Sequence, residues 1–275
     1  MAVDNLYIMD TGHLRSDGGC LYGTVPKLMW EKLETPDDNN RLLTALRCLL
    51  IIEGDKRILI DTGVGNYHNA KMQNRYALDQ PHFCFNQALA KYDLSTADIT
   101  DVILTHLHYD HSGGIVPNSS DPSACVFPNA TIHIQKAHWQ WANNPSLKDK
   151  AGFINAHLQT IKHHGKLNLI DGPVKFTDNI ELLVFDGHTK AMQLPLITTN
   201  TQKHFFTGDL IARVHHLRLA YVMAFDLLPM TTIDEKQNLL KIAAKEHWKL
   251  IFQHDPHHII ANVISKNGWY TLDTQ

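Results

Sequence analysis

Cysteine is scarce in this chain. Four are spread through 275 residues, Cys20, Cys48, Cys84 and Cys125, with no C-x-x-C pair among them. That excludes a thiolate zinc knuckle or a dithiol redox motif and leaves reduced packing cysteines. Glycine is sparse as well, 15 of 275, below the ordinary share of ~7% and far from a collagen-like or low-complexity composition. Long apolar runs are missing: the longest uninterrupted one is the seven residues Leu219 to Phe225, against the ~20 that a membrane span requires. An excess of either charge sign is missing too. Lys+Arg 25 against Asp+Glu 28 gives a formal charge of −3, which offers no basic surface to nucleic acid or an anionic membrane. The N-terminal stretch Met1-Ala-Val-Asp-Asn-Leu-Tyr-Ile-Met-Asp10 carries acids where a signal peptide carries positive charge, so the expected location is the cytoplasm.

What is present is an ordinary globular composition, 44% hydrophobic, with one anomaly: 19 histidines. Apolar segments of four to eight residues bounded by Gly, Asp and Asn read as strands. They fall at Leu6–Met9, Ala45–Ile52, Arg57–Ile60, Val102–Thr105, Thr131–Gln135, Ile180–Phe185, Leu194–Thr198, His204–Thr207, Leu250–Gln253 and His258–Ile264. Helical periodicity falls between them, at Phe83–Lys91, Gln135–Ala142 and Ser146–His164. It is clearest over Ile233–His247, behind a Thr232-x-x-Glu235 capping box. Strands and helices alternate along the whole chain with no linker-like stretch, so the reading is one α/β domain over residues 1–275. One faint internal echo sets Ile58-Leu-Ile-Asp-Thr-Gly63 against His204-Phe-Phe-Thr-Gly-Asp209.

The strongest local pattern is Thr105-His106-Leu107-His108-Tyr109-Asp110-His111-Ser-Gly-Gly114, directly after the strand Asp101-Val-Ile-Leu. Histidines two apart in extended chain point the same way and can grip one metal ion. A following turn brings Asp110 and His111 towards a second ion. Imidazole and carboxylate without thiolate suit zinc, and also iron, manganese or cobalt.

This His-x-His-x-Asp-His segment behind a strand resembles the metallo-β-lactamase fold hydrolases. Further motifs of that family follow in order: Asp61 in Leu59-Ile-Asp-Thr-Gly63, His188 in Asp186-Gly-His-Thr189, Asp209 in Thr207-Gly-Asp209, and His254 in Phe252-Gln-His-Asp255. The resemblance implies a four-layer αββα sandwich and a dinuclear centre of two divalent ions, zinc first among them. His106, His108 and His188 would hold one ion; Asp110, His111 and His254 would hold the other. Asp209 would bridge them, while Asp61 would orient ligand histidines from behind. Two ions ~3.5–4 Å apart share a hydroxide nucleophile near neutral pH, and Asp110 could pass a proton to the leaving group. Asp110 and Asp209 are therefore the expected catalytic carboxylates.

Two flanking segments look like those of the quorum-quenching N-acyl homoserine lactonase and methyl-parathion-hydrolase-like subgroup. They are Asp17-Gly-Gly-Cys-Leu-Tyr-Gly-Thr-Val-Pro-Lys-Leu-Met-Trp30 and Ala224-Phe-Asp-Leu-Leu-Pro-Met230, the latter followed by Thr232 and Lys236. The resemblance implies that residues 1–40 cover the metal site and that Leu21, Tyr22, Met29, Trp30 and Phe225 line a substrate pocket. It implies a small lactone or ester as substrate and, by analogy, a homodimer. An organophosphate triesterase or aryl esterase of the same fold is the alternative within the family. A non-catalytic histidine-rich metal-binding protein is the alternative outside it. Many acyl homoserine lactonases place a tyrosine three residues after the bridging aspartate, where this chain has Ala212. His216 and Tyr221 are the candidates to replace it. The remaining histidines, including the adjacent pairs His163-His164 and His257-His258, are expected to be solvated or structural.

Overall fold

The computed structural model describes residues 3, 5–66, 68, 70–79, 83–117 and 124–273. Two sheets dominate it. The first is assembled from β1 (Asn5–Asp17), β2 (Arg41–Glu53), β3 (Lys56–Ile60), β4 (Asp101–Ile103), β5 (Thr131–Gln135) and β6 (Leu167–Ile170), paired in that order. Its first three strands are antiparallel and β3 to β6 run parallel. The second sheet has the order β13-β12-β11-β10-β9-β8-β7. Its strands are β7 (Val174–Lys175), β8 (Ile180–Phe185), β9 (Met192–Thr198), β10 (Lys203–Phe206), β11 (Lys249–Ile251), β12 (Ile260–Lys266) and β13 (Trp269–Leu272).

Eight α-helices are described: α1 (Gly18–Tyr22), α2 (Lys27–Trp30), α3 (Ala70–Tyr76), α4 (Phe85–Ala90), α5 (Tyr109–Ser112), α6 (Lys136–Asn143), α7 (Asn155–His164) and α8 (Pro229–Lys245). The layering follows from which faces are apolar. Leu49, Ile51, Ile58, Ile60 and Ile103 of the first sheet meet Ile180, Leu182, Ile197, Phe206 and Ile251 of the second in one dry core. The opposite face of the first sheet buries Leu50, Leu59, Val102 and Ile132 against Leu89 of α4, Ala142 of α6 and Leu158 and Ile161 of α7. The outer face of the second buries Leu194, Phe205 and Leu250 against Leu239, Leu240 and Ala243 of α8. Each fully buried Leu or Phe stabilises by about 1.5–3 kcal/mol. The result is the four-layer αββα sandwich. Gln193 stitches the sheets together at their centre, its Nε2 donating to Leu104 O and His133 O while its backbone N–H donates to Thr105 O at 2.9 Å.

Several local expectations change. β1 is thirteen residues long, not four, because its second half alternates buried Thr11, Leu14 and Ser16 with exposed or half-exposed neighbours around a register shift between Asp10 and His13. Such a strand has no apolar run to show. β6, β7 and β13 escaped for the same reason, being thinly buried edge or near-edge strands. Only the second half of Ser146–His164 is α-helical; the first half winds irregularly around Asp149, which accepts from Ser146 Oγ and Trp141 Nε1. The capping box does not form. α8 begins at Pro229, a residue pre-set for a first helical turn, so Thr232 lies inside the helix and Glu235 turns away to accept from the backbone N–H groups of Asp186 and Gly187.

Candidate metal centre

Five segments leave the same ends of their strands and converge. Asp61 follows β3, His106 to His111 follow β4, His188 follows β8, Asp209 follows β10 and His254 follows β11. The turn after β3 and the two glycines that follow α5 meet at backbone distance. A Cβ on Gly113 would sit 2.1 Å from Val64 O, and one on Gly114 2.1 Å from Thr62 O. This is why the motif ends in two glycines.

The histidines are oriented from behind. Asp61 is fully buried and accepts four hydrogen bonds: Thr105 N–H at 2.7 Å, Thr105 Oγ1 at 2.8 Å, His111 Nδ1 at 2.9 Å and Gln253 Nε2 at 3.0 Å. Thr105 Oγ1 lies 3.0 Å from His106 Nδ1; with its proton committed to Asp61, it accepts from that nitrogen. His254 Nδ1 donates to Ala45 O at 2.8 Å, and His188 Nδ1 donates to the buried carboxylate of Asp226 at 2.9 Å. Each of these rings therefore presents Nε2 inward.

The inward atoms crowd against one another and against Asp209. His188 Nε2 faces His108 Nδ1 at 3.2 Å, and His254 Nε2 faces His111 Nε2 at 3.3 Å. His106 Nε2 and Asp209 Oδ1 are buried without any hydrogen bond. Lone pairs opposed at such distances repel unless a cation lies between them. Asp209 sends Oδ2 to within 3.1 Å of His188 Nε2 and Oδ1 to within 2.9 Å of His254 Nε2 and 3.4 Å of His111 Nε2. Among the described residues three groups of donor atoms, each within 4.8 Å of one another, result: His106, His108 and His188; His106, His111 and Asp209; Asp110, His111 and His254. The donor set fits two divalent ions.

Protonation behaviour agrees. Burial, reinforced by neighbouring imidazoles, pushes His106 and His108 well below the usual histidine range, which keeps them neutral. Burial acts the same way on His111, but Asp209, Asp110 and Asp61 outweigh it and hold that ring well above its ordinary value. His188 is raised likewise, Asp209 and Asp226 overcoming burial. Burial would raise Asp209, yet His111, His254 and His188 bring it well below the carboxylate range. In the ion-free protein, protons take the place of metal charge.

A cavity of about 190 Å³ opens over these groups. Besides His108, Asp110, His188, Asp209 and His254, its wall includes Leu21, Tyr76, Tyr109, Ala212, Met223 and Phe225. Of the pocket residues expected from sequence, Leu21 and Phe225 reach it and five do not. Tyr22 and Trp30 stack behind the wall, ring centroids 5.4 Å apart and both buried, in a cluster with Leu42 and Ala212. Met29 points outward at 51% exposure. His216 is a structural histidine whose Nε2 donates to Leu21 O at 3.0 Å. Tyr221 accepts from Arg218 NH1 and packs edge-on against Tyr22. Neither His216 nor Tyr221 brings its polar group to the cavity in place of the tyrosine absent at position 212. Of residues 1–40, Ser16 and Leu21 reach the cavity, while the rest of the segment includes strand β1 and the short helices α1 and α2.

Sequence reasoning missed Asp226 and Tyr109. The signal for Asp226 was available, a single acid inside the otherwise apolar Leu219-to-Met230 stretch apart from its Pro. Tyr109 was hidden between the histidines it accompanies.

Residues 47–254 match the model of the Metallo-beta-lactamase superfamily. N-acyl homoserine lactonase AttM of Rhizobium radiobacter is 25% identical over 186 residues, 65% of this chain. That match spans 66% of the relative's own length, just under two thirds. Among solved structures, a probable metal-dependent hydrolase from Staphylococcus aureus superposes with TM-score 0.87 at 24% identity, covering 100% of this chain and 99% of that one. AidC, a dizinc quorum-quenching lactonase solved with a product, superposes with TM-score 0.81 at 22% identity, covering 100% and 96%.

Proposed function

Because the chain belongs to the metallo-β-lactamase superfamily, we propose that it is a hydrolase with two divalent ions, zinc foremost, that opens a lactone or ester in the manner of the N-acyl homoserine lactonases. The observation that carries the reading is Asp209, with one carboxylate oxygen towards His188 and the other towards His254 and His111, at the floor of the cavity. His106, His108 and His188 would hold one ion, Asp110, His111 and His254 the other, with Asp209 shared. Bound there, the ions would supply Lewis acidity for a carbonyl oxygen and lower the pKa of water towards ~7.

The chain's own residues do the rest. Asp110 lines the cavity and is placed to carry a proton to the departing alkoxide. Tyr109 brings a phenol to the wall that Ala212, with its methyl, does not. Among the described residues the charged groups in the wall outside the ligand set are two, and both are engaged: Lys148 Nζ on Ala224 O and Asp226 O, and Asp149 on Trp141, Ser146 and Thr189. A wall neutral in its free groups and lined by Leu21, Met223 and Phe225 suits an uncharged substrate with an acyl chain.

The test is a steady-state screen of the zinc-loaded protein against acyl homoserine lactones of varied chain length, aryl esters and phosphotriesters, alongside metal analysis. Two ions per chain and lactone turnover are expected. If every lactone fails while an aryl ester or phosphotriester turns over, the lactonase reading falls and the esterase or triesterase reading replaces it. More than two ions with no hydrolysis at all would favour a metal-binding protein.

A further inference from the structure

Asp226 has a role that the ligand pattern does not contain. It lies 38 residues beyond His188, is 2% exposed, and places Oδ1 2.9 Å from His188 Nδ1. The two segments are zipped together: Leu227 N–H donates to His188 O and Leu228 N–H to Gly187 O. Lys148 Nζ then bolts the loop from outside by donating to Ala224 O at 2.7 Å and Asp226 O at 2.6 Å. A carboxylate removed from water is costly unless it faces positive charge. Its partner here is an imidazole that is itself 1% exposed and turns its other nitrogen towards His108 and Asp209. His188 is the group hydrogen-bonded to that carboxylate, while the buried ammonium of Lys236 acts on it through charge alone.

We infer that Asp226 is the positioning carboxylate for one half of the dinuclear centre, fixing the ring and tautomer of His188 as Asp61 does for His111 on the other half. The two carboxylates come from different layers: Asp61 ends a strand of the first sheet, and Asp226 sits in the loop leading into α8 behind the second. Asp226 therefore acts on the ion that His188 would hold, whereas Asp61 reaches both positions, through His111 and, by way of Thr105 Oγ1, through His106. The inference rests on the proposed two-ion centre.

The experiment is zinc binding by competition with a chelating dye, which needs no substrate. In Asp226→Asn one ion should bind about ten- to hundredfold more weakly, and the other within about threefold of the parent. The same substitution made in a His188→Gln background should add less than about threefold, since its effect passes through that ring. A residue that merely held the loop would weaken binding by the same factor in both backgrounds, and that result overturns the inference. So does a folded Asp226→Asn protein holding both ions at parental affinity. If the parent itself binds no zinc, the two-ion reading fails and takes the inference with it; if the parent binds two and only the variant pattern fails, the two-ion reading stands alone.

Discussion

Replacing Asp61 by asparagine tests whether the centre is organised from behind or merely assembled from its ligands. Asparagine tolerates the left-handed backbone at this position, φ +56°, so the substitution isolates the hydrogen bonds. The carboxylate faces four donors and no acceptor: Oδ1 receives Thr105 N–H, and Oδ2 receives Thr105 Oγ1, His111 Nδ1 and Gln253 Nε2. An amide can satisfy only one side of that arrangement. The better orientation puts its oxygen at the Oδ2 position and keeps three bonds, while its NH2 confronts the Thr105 N–H. Leaving those donors buried and unpaired costs about 1–3 kcal/mol. The three surviving bonds lose their charge assistance, which roughly halves each. The sum is about 3–7 kcal/mol, a large part of the ~5–15 kcal/mol that holds an ordinary domain together. Alanine would leave all four donors unpaired and would approach the whole of that stability, so it is the less informative change.

The assay is urea denaturation of the chelator-treated protein, followed by tryptophan fluorescence, since Trp30 and Trp248 are both buried. Zinc titration of the same variant should show weakened binding of about ten- to hundredfold, because His111 and, through Thr105, His106 lose the groups that fix their tautomers. A loss below about 1 kcal/mol together with parental zinc affinity would refute the reasoning, since no unpaired buried donor is that cheap.

Two further outcomes follow from the same geometry. Tyr109→Phe should retain two ions while kcat on the preferred lactone or ester falls on the order of 10²-fold with little change in KM, the signature of a donor used in the transition state; an unchanged kcat would remove the phenol from the chemistry. His157, buried beside Ser112 and held down by burial to about 4 from 6.5, favours the neutral ring when folded. The unfolded chain thus binds the extra proton between those values, and stability is lost as pH falls from 6.5 to 4. That displacement corresponds to about 3 kcal/mol, so urea denaturation of the ion-free His157→Gln variant should show a pH slope shallower by about one proton in that window, and an identical slope would exclude this histidine as a source.

The parts legible in the sequence were those whose physics is local. Two-residue spacing in an extended chain marks His106 and His108, and the stretch Cys48 to Ile51 of β2, buried between β1 and β3, shows as an unbroken apolar run because both faces are covered. β13 keeps Trp269 at 67% exposure and has a neighbour on one side only, so nothing forces its composition to be apolar. The pocket was illegible for a related reason. Tyr22, Trp30 and Tyr221 have the residue types of a binding wall, but whether a ring faces the cavity or stands one layer behind it depends on what fills the intervening space. Here Leu21 and Ala212 occupy that space.

The faint echo between Ile58–Gly63 and His204–Asp209 acquires a meaning from the sheets. β3 lies in the first sheet and β10 in the second, and each runs into a turn with a positive φ, at Asp61 (+56°) and Gly208 (+45°). Each turn delivers one buried carboxylate to the same point from opposite sides of the inner core. The two carboxylates then do opposite things. Asp61 meets four donors and is spent on holding the protein's own groups. Asp209 faces His111, His188 and His254 but leaves Oδ1 without a hydrogen bond. That difference is set by the neighbours and not by the local sequence. Two strand-turn-carboxylate motifs of similar composition can therefore divide into a support and a candidate ligand only after the sheets have packed face to face.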